Sequence, residues 1–163
     1  MAVSSDAFEA MYVPANDTPW FPYGDSGCEA RVIHADPTTG RWTVKLRGPG
    51  GSSLGIHRHY GSVFAYTLRG AWRYLEHGWV ARTGDVVQET PGSVHTLQLV
   101  DESEILFLVD GALEYLDPQG NTVAHEDWRS IIQKHLDFCS RQGLDSVDVT
   151  RPRIRSPDRI AAA

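Results

Sequence analysis

Residues 51–70 read GSSLGIHRHYGSVFAYTLRG, and residues 84–95 read GDVVQETPGSVH. The first stretch holds His57 and His59 two positions apart. Because alternate side chains of a β-strand point to the same face, both imidazoles are expected to converge on one point inside a barrel. In the second stretch, a Pro-Gly turn precedes His95 and can direct that side chain toward the same point. Either element alone is weak evidence for a metal site, since a His-x-His pair is more often a surface or hydrogen-bonded pair. In this order and separation, the two elements together predict one metal site on these three histidines.

Short candidate strands surround these histidines on both sides. Gly, Pro, Asp and Asn interrupt the apolar runs at regular intervals between residues 29 and 116, which is typical of an all-β sandwich or barrel. The predicted strands are 29–34, 42–46, 55–59, 63–68, 71–76, 79–82, 85–89, 94–100, 105–109 and 112–116.

The hydrophobic period changes after the turn at residues 117–120. Between Glu126 and Gln142, apolar residues recur at helical spacing, and Gly143 provides a C-terminal stop. We therefore predict one amphipathic helix packed on the barrel. The predicted organisation is an N-terminal arm over 1–19, a barrel over 20–125, a helical segment over 126–150 and a disordered tail over 151–163.

Composition excludes several classes of function. The chain of 163 residues has a formal net charge of −6 and no basic run in its body, so no nucleic-acid partner is expected. No apolar run approaches the length of a membrane span, and the first 16 residues do not resemble a secretory signal. Cys28 and Cys139 lie far apart, which favours free thiols in a reducing compartment, and a cytoplasmic location is expected.

The first of the two histidine stretches resembles the first motif of the cupin superfamily, Gly-x5-His-x-His-x3-Glu-x6-Gly. Gly51, His57, His59 and Gly70 match its positions, but Val63 stands where the motif has Glu. This resemblance implies an all-β cupin fold, a small jelly-roll barrel, followed here by one C-terminal α-helix. The missing Glu implies a metal face of three neutral imidazoles, which leaves the ion its full charge and favours an anionic chelating ligand.

The second stretch resembles the second cupin motif, Gly-x5-Pro-x-Gly-x2-His-x3-Asn. Gly84, Gly92 and His95 occupy matching positions, whereas Thr90 replaces the Pro and Leu99 replaces the Asn. Both cupin motifs are therefore present, each with departures.

A narrower resemblance covers about residues 20–143. The segments 70–82 and 84–97, with Tyr115-Leu116-Asp117 further on, are similar to the 2,4'-dihydroxyacetophenone dioxygenase family, which is related to acetylacetone-cleaving enzymes. The resemblance implies a non-haem Fe(II)-dependent dioxygenase that cleaves a C–C bond next to a carbonyl. The substrate would be a hydroxyketone or diketone bound as a chelating enolate, with dioxygen as co-substrate. Fe(II) is the expected ion, although Zn(II), Ni(II) or Mn(II) could occupy the site, and a homodimer or homotetramer is expected.

Two alternatives stay open at this point. The same site could serve another metal-dependent enzyme, such as an isomerase, lyase or hydrolase, because Zn(II) also accepts three imidazoles and water. The chain could instead be a non-catalytic cupin that binds a metal or a small molecule.

Further site residues are predicted from strand parity. Glu89, six residues before His95, could act as a base or as a weak fourth ligand, or it could be a strand-end carboxylate paired with an arginine. Arg73 is the predicted partner and the second catalytic candidate. Residues that share the parity of the ligands are predicted to line the substrate cavity: Val63, Ala65, Thr67, Leu97 and Leu99. Phe64, Tyr66, Trp72 and Tyr74 are predicted to face the other way, toward a sheet or dimer interface.

Overall fold

Strands dominate the computed structural model, which describes residues 11–151 of the chain. Most of the predicted strands are present with ends shifted by a few residues. The strands are β1 (Phe21–Pro22), β2 (Glu29–Ala35), β3 (Trp42–Gly48), β4 (His57–His59), β5 (Val63–Arg69), β6 (Ala71–Tyr74), β7 (Ala81–Arg82), β8 (Val86–Glu89), β9 (Val94–His95), β10 (Leu97–Leu99), β11 (Ser103–Val109), β12 (Leu113–Leu116) and β13 (Thr122–Glu126), followed by helix α1 (Trp128–Gln142).

The strands form three antiparallel sheets. The largest has the order β1-β2-β3-β11-β5-β8, and the others have the orders β10-β6-β7 and β13-β12-β4-β9. The sheets face one another across a core in which β2, β3, β5 and β11 bury alternate side chains. The prediction of an all-β fold with one C-terminal helix is thus confirmed.

Two strands were not predicted, and one predicted strand is divided. Strand β1 has only two residues, and β13 exposes four of its five, so neither carries the apolar alternation that marks a half-buried strand. The predicted strand 94–100 is split into β9 and β10, which pair in different sheets.

Gly70 joins β5 to β6 in a conformation that requires glycine. Its φ is +86°, and a Cβ atom there would lie 2.3 Å from the carbonyl oxygen of Glu102. The closing glycine of the first motif therefore has a structural reason, because it lets two strands of different sheets turn tightly beside the start of β11.

Helix α1 begins later than predicted, at Trp128. Asp127 is its N-cap, accepts hydrogen bonds from the first turn and completes a capping box with Ser130. Gly143 ends the helix in the left-handed conformation, as predicted. The helix packs against β2 and β13. Within residues 11–151, no helix is long and apolar enough to cross a membrane.

Residues 1–10 of the predicted N-terminal arm and 152–163 of the predicted tail lie outside the described residues.

Candidate metal centre

Three buried histidines meet where β4 and β9 pair. His57 lies directly opposite His95 in the antiparallel register, and His59 is two residues further along β4. The three side chains are almost fully buried, and each offers a ring nitrogen within 4.8 Å of the others. The predicted convergence of the three imidazoles is therefore present in the structure.

The backbone fixes the orientation of the first histidine. Nδ1 of His57 lies 2.8 Å from the carbonyl oxygen of Gly55, and a carbonyl can only accept, so Nδ1 carries the hydrogen. The lone pair of this imidazole is therefore on Nε2, as in histidines whose second nitrogen is oriented for metal binding.

Burial keeps two of these imidazoles uncharged. Desolvation is the main cause that lowers the pKa of His57 to about 4, and it lowers the pKa of His59 likewise to about 4. Both rings are therefore neutral near pH 7, and a metal ion would displace no proton from them.

Glu89 brings a carboxylate into the same space. Its Oε2 lies 3.2 Å from Nε2 of His59 and 3.2 Å from Nε2 of His95, and its Oε1 accepts a short hydrogen bond from the hydroxyl of Tyr74. Burial raises the pKa of Glu89, but its contacts with His95, His59 and Tyr74 outweigh this and hold the pKa below its ordinary value. The carboxyl group is therefore ionised at neutral pH.

Several polar atoms at this point lack partners. Among the described residues, none provides a hydrogen bond to Glu89 Oε2, His95 Nε2 or His59 Nδ1, although all three atoms are buried. Such orphaned atoms are costly unless an ion or water completes them.

The donor set fits a divalent first-row metal. The ring nitrogens of the three histidines lie within 4.8 Å of one another, so small rotations of the rings would bring all three to one ion at about 2.0–2.2 Å. Imidazole nitrogens suit Fe(II), Zn(II) or Ni(II), and Glu89 Oε2, 3.2 Å from two of the rings, lies beside such an ion as a candidate base.

The strand register shows which residue supplies a carboxylate where the first motif lacks its Glu. Val63 is buried at the start of β5 and is paired with Glu89 on β8. A carboxylate therefore reaches the centre from the neighbouring strand instead of from the position that Val63 occupies.

The predicted pairing of Arg73 with Glu89 is wrong. Arg73 is exposed, and its guanidinium donates to Oε1 of Gln98 at 2.7 and 3.1 Å. The residue that binds Glu89 is Tyr74, which is 2% exposed and stacks on His95 with ring centroids 3.6 Å apart. Tyr74 and Trp72 face inward, contrary to prediction, because the turn at Gly70 resets the alternation between β5 and β6. By contrast, the predicted outward orientation of Phe64 and Tyr66 is present, and each is 37% exposed.

Only part of the predicted cavity lining is found. A small cavity of about 50 Å³, called here the inner cavity, borders His57, His59, Glu89 and Tyr74, and its apolar walls include Leu97. The other four predicted lining residues are buried but do not border it in the described structure; these are Val63, Ala65, Thr67 and Leu99. Strand parity indicated that these four side chains point inward, as their burial shows, but not whether each one reaches the cavity.

A larger groove lies on the other side of Glu89 and His95. The outer groove has a volume of about 570 Å³ and is bordered by these two residues, Tyr74, Trp79 and Gln88. Its size is that of a small-molecule site, which the inner cavity by itself is not.

Comparison with known families and structures identifies relatives of this chain. A family model described as a ChrR cupin-like domain matches residues 9–114, more than half of the chain. Comparison with proteins of curated function gave no match.

Solved structures show the same architecture. An RmlC-like cupin from Ralstonia eutropha JMP134 is 34% identical, with a TM-score of 0.80 over 86% of this chain and 93% of that one. An acetylacetone dioxygenase from Acinetobacter johnsonii is 24% identical, with a TM-score of 0.72 over 84% and 97%. The anti-sigma factor ChrR of Rhodobacter sphaeroides, in its complex with SigE, is 21% identical, with a TM-score of 0.51 over 60% and 51%. The last two show likeness of fold alone.

Proposed function

We propose that this chain, which belongs to the ChrR cupin-like domain family, is a cupin dioxygenase that holds Fe(II) on His57, His59 and His95. Its substrate would be a hydroxyketone or diketone, whose C–C bond next to the carbonyl is cleaved with dioxygen. The observation that carries the proposal is the group of three buried histidines facing a buried, ionised carboxylate whose Oε2 finds no hydrogen-bond partner within residues 11–151. The dioxygenase fold neighbour and the resemblance over residues 70–97 support it.

The residues of the centre have separate roles in this proposal. Bound iron supplies Lewis acidity and redox chemistry toward dioxygen. Glu89 Oε2 accepts the proton that the substrate loses on the carbon next to its carbonyl, which converts the ketone into an enolate. Tyr74 donates to Oε1 and so holds the carboxylate with Oε2 toward the histidines.

One substrate molecule would extend from the outer groove into the inner cavity. The inner cavity is too small for a whole hydroxyketone, whereas the outer groove borders Glu89 and His95 and has the necessary volume. The carbon skeleton would therefore lie in the outer groove, with its small polar end toward the inner cavity. For a hydroxyketone R–CO–CH₂OH, addition of O₂ with C–C cleavage yields R–COOH and HCOOH, which balances all atoms.

Oxygen consumption tests the proposal. Protein loaded anaerobically with Fe(II) is expected to consume one O₂ per substrate from a panel of hydroxyketones and diketones and to form two carbonyl fragments. His95→Ala is expected to lose the bound iron and the activity while remaining folded, because most of the core lies elsewhere. His125→Ala, an exposed histidine on β13, serves as the control.

Metal replacement separates the alternatives. Zn(II) has no accessible redox change, so the zinc-loaded protein is expected to consume no O₂. Turnover with Zn(II) in the absence of oxygen would refute the dioxygenase proposal in favour of a hydrolase, lyase or isomerase. Metal binding without turnover of any substrate in the panel would favour a non-catalytic metal-binding cupin.

A further inference from the structure

A line of hydrogen bonds connects the wall of the inner cavity with helix α1. The hydroxyl of Tyr115 donates to the hydroxyl oxygen of Tyr23 at 3.0 Å, and Tyr23 donates to Oε2 of Glu126 at 3.1 Å. Glu126 is fully buried and also receives Lys134, as an ion pair, and the hydroxyl of Ser130. The proposed reaction uses none of these residues.

Glu126 determines which group donates and which accepts in each of these hydrogen bonds. Glu126, paired with Lys134, is a carboxylate and can only accept, so Tyr23 must donate its single hydrogen to it. Tyr115 must then donate its own hydrogen to Tyr23. Burial raises the pKa of both phenols, so both hydrogens stay in place near neutral pH. The oxygen of Tyr115 is left with acceptor capacity alone.

Tyr115 stands beside the candidate metal centre. It is paired with His57 across β12 and β4, and the two rings have centroids 5.7 Å apart. Both tyrosines border the inner cavity. The surrounding wall is otherwise apolar, with residues such as Val44, Leu46 and Phe107. Tyr115 and Tyr23 thus contribute the hydroxyl groups of this wall, and Tyr115 is the one paired with a candidate ligand, His57.

We propose that Tyr115 selects the ligand of the metal centre by accepting a hydrogen bond from that ligand. Tyr115 acts as an acceptor because its own hydrogen is donated to Tyr23, which donates in turn to Glu126. A ligand or ligand end that presents O–H toward β12 is favoured, and one that presents an ether or carbonyl oxygen is disfavoured. Tyr115 is in this sense a specificity residue, while Tyr23 and Glu126 are positioning residues that act through it. The inference rests on the proposed metal site, but it does not depend on which reaction the site performs.

Paired chelators on the cobalt-loaded protein test this inference. Co(II) reports its ligands through visible absorption, so the dissociation constants of glycolate and methoxyacetate can be measured without turnover. Both are carboxylates of the same charge, but glycolate presents a hydroxyl hydrogen where methoxyacetate has a methyl ether. Tyr115→Phe is expected to reduce the preference for glycolate by about five- to tenfold, which corresponds to the loss of one hydrogen bond. The preference that remains in this variant measures the steric effect of the methyl group.

Tyr23→Phe provides the second, more specific variant. It leaves Tyr115 in place but removes its acceptor, so the freed hydroxyl can donate into the cavity. Methoxyacetate is therefore expected to bind this variant more tightly than it binds the wild type, whereas loss of packing alone would weaken both chelators. Tyr66→Phe, on the exposed face of β5, is the control and is expected to leave both constants unchanged.

The outcomes distinguish this inference from the proposed function. If Co(II) does not bind the wild-type protein, the metal site is wrong and the inference falls with it. If Co(II) binds but the preference for glycolate is the same in Tyr115→Phe as in the wild type, the inference alone is overturned. If Tyr23→Phe bound both chelators more weakly than the wild type, this would contradict the acceptor role assigned to the Tyr115 hydroxyl.

Discussion

The side chains of the candidate centre are buried with incomplete hydrogen bonding. His57 has one nitrogen bound to Gly55, whereas His95 Nε2 and Glu89 Oε2 face each other 3.2 Å apart without a hydrogen bond. In the proposed function the imidazoles would bind the metal and Glu89 would take the proton. These two roles can be separated, because replacing the carboxylate leaves all three histidines in place.

Glu89→Gln is expected to retain metal and lose turnover. The amide keeps the size of the side chain but cannot take a proton, so kcat is expected to fall by about 10²- to 10⁴-fold, the usual contribution of a general base. Metal content, measured by elemental analysis, is expected to stay within about twofold of the wild type. Glu104→Gln, on the outer face beside Lys45, is the control. Loss of the metal in Glu89→Gln would instead identify Glu89 as a ligand and contradict the assignment of three histidine ligands.

The elements bring these residues together through two tight junctions. One is the β4–β9 pairing, which sets His57 opposite His95. The other is the Gly70 turn, after which β6 directs Tyr74 toward Glu89. A change at the second junction would displace Tyr74, and with it the ring that stacks on His95.

Gly70→Ala is expected to destabilise the protein strongly. The added Cβ would lie 2.3 Å from the carbonyl oxygen of Glu102, in a backbone conformation with positive φ, so the backbone of β5, β6 or β11 must shift. We expect the free energy of unfolding to fall by about 2–4 kcal/mol, measured by urea denaturation. The control is Gly78→Ala, because no heavy atom lies within 4 Å of the added Cβ there. Equal stability of the two variants would contradict the steric explanation.

Strands of all three sheets contribute residues to the candidate metal centre. Strands β4 and β9 supply the histidines, β8 of the six-stranded sheet supplies Glu89, and β6 of the third sheet supplies Tyr74. Only the folded chain brings the three histidines of β4 and β9 together. A bound ion is therefore expected to stabilise the folded state against unfolding.

Removal of the metal is expected to lower the melting temperature. At a Zn(II) concentration about 1,000 times Kd, linkage adds about 4 kcal/mol to the free energy of unfolding. For a chain of this size, that corresponds to a rise in Tm of about 8–16 °C over the metal-free protein, measured by scanning calorimetry. His57→Ala should abolish the rise, and His125→Ala should preserve it. A rise of equal size in His57→Ala would show that the zinc binds elsewhere.

Local pattern was sufficient for two parts of the histidine triad, the His57–His59 pair and the turn before His95, whereas the β4–β9 pairing decided that they meet. His57 and His59 share a face because the strand period of two is a property of the backbone, and the Pro-Gly turn before His95 is equally local. Turn residues likewise marked most strand boundaries, and Gly143 marked the end of the helix. These features depend on residues within a few positions of one another, so the sequence by itself determined them.

The surroundings of the triad were decided by the tertiary structure. Val63 and Glu89 are 26 residues apart and become neighbours only through the β5–β8 register. The Gly70 turn decides that Tyr74 points inward from β6, toward Glu89. Tyr23 and Glu126 are 103 residues apart and meet because β1 and the end of β13 both lie beside helix α1. A periodic pattern specifies which way a side chain points from its own strand. Which side chain it then meets is specified by the pairing of distant strands, and no local stretch of sequence encodes that pairing.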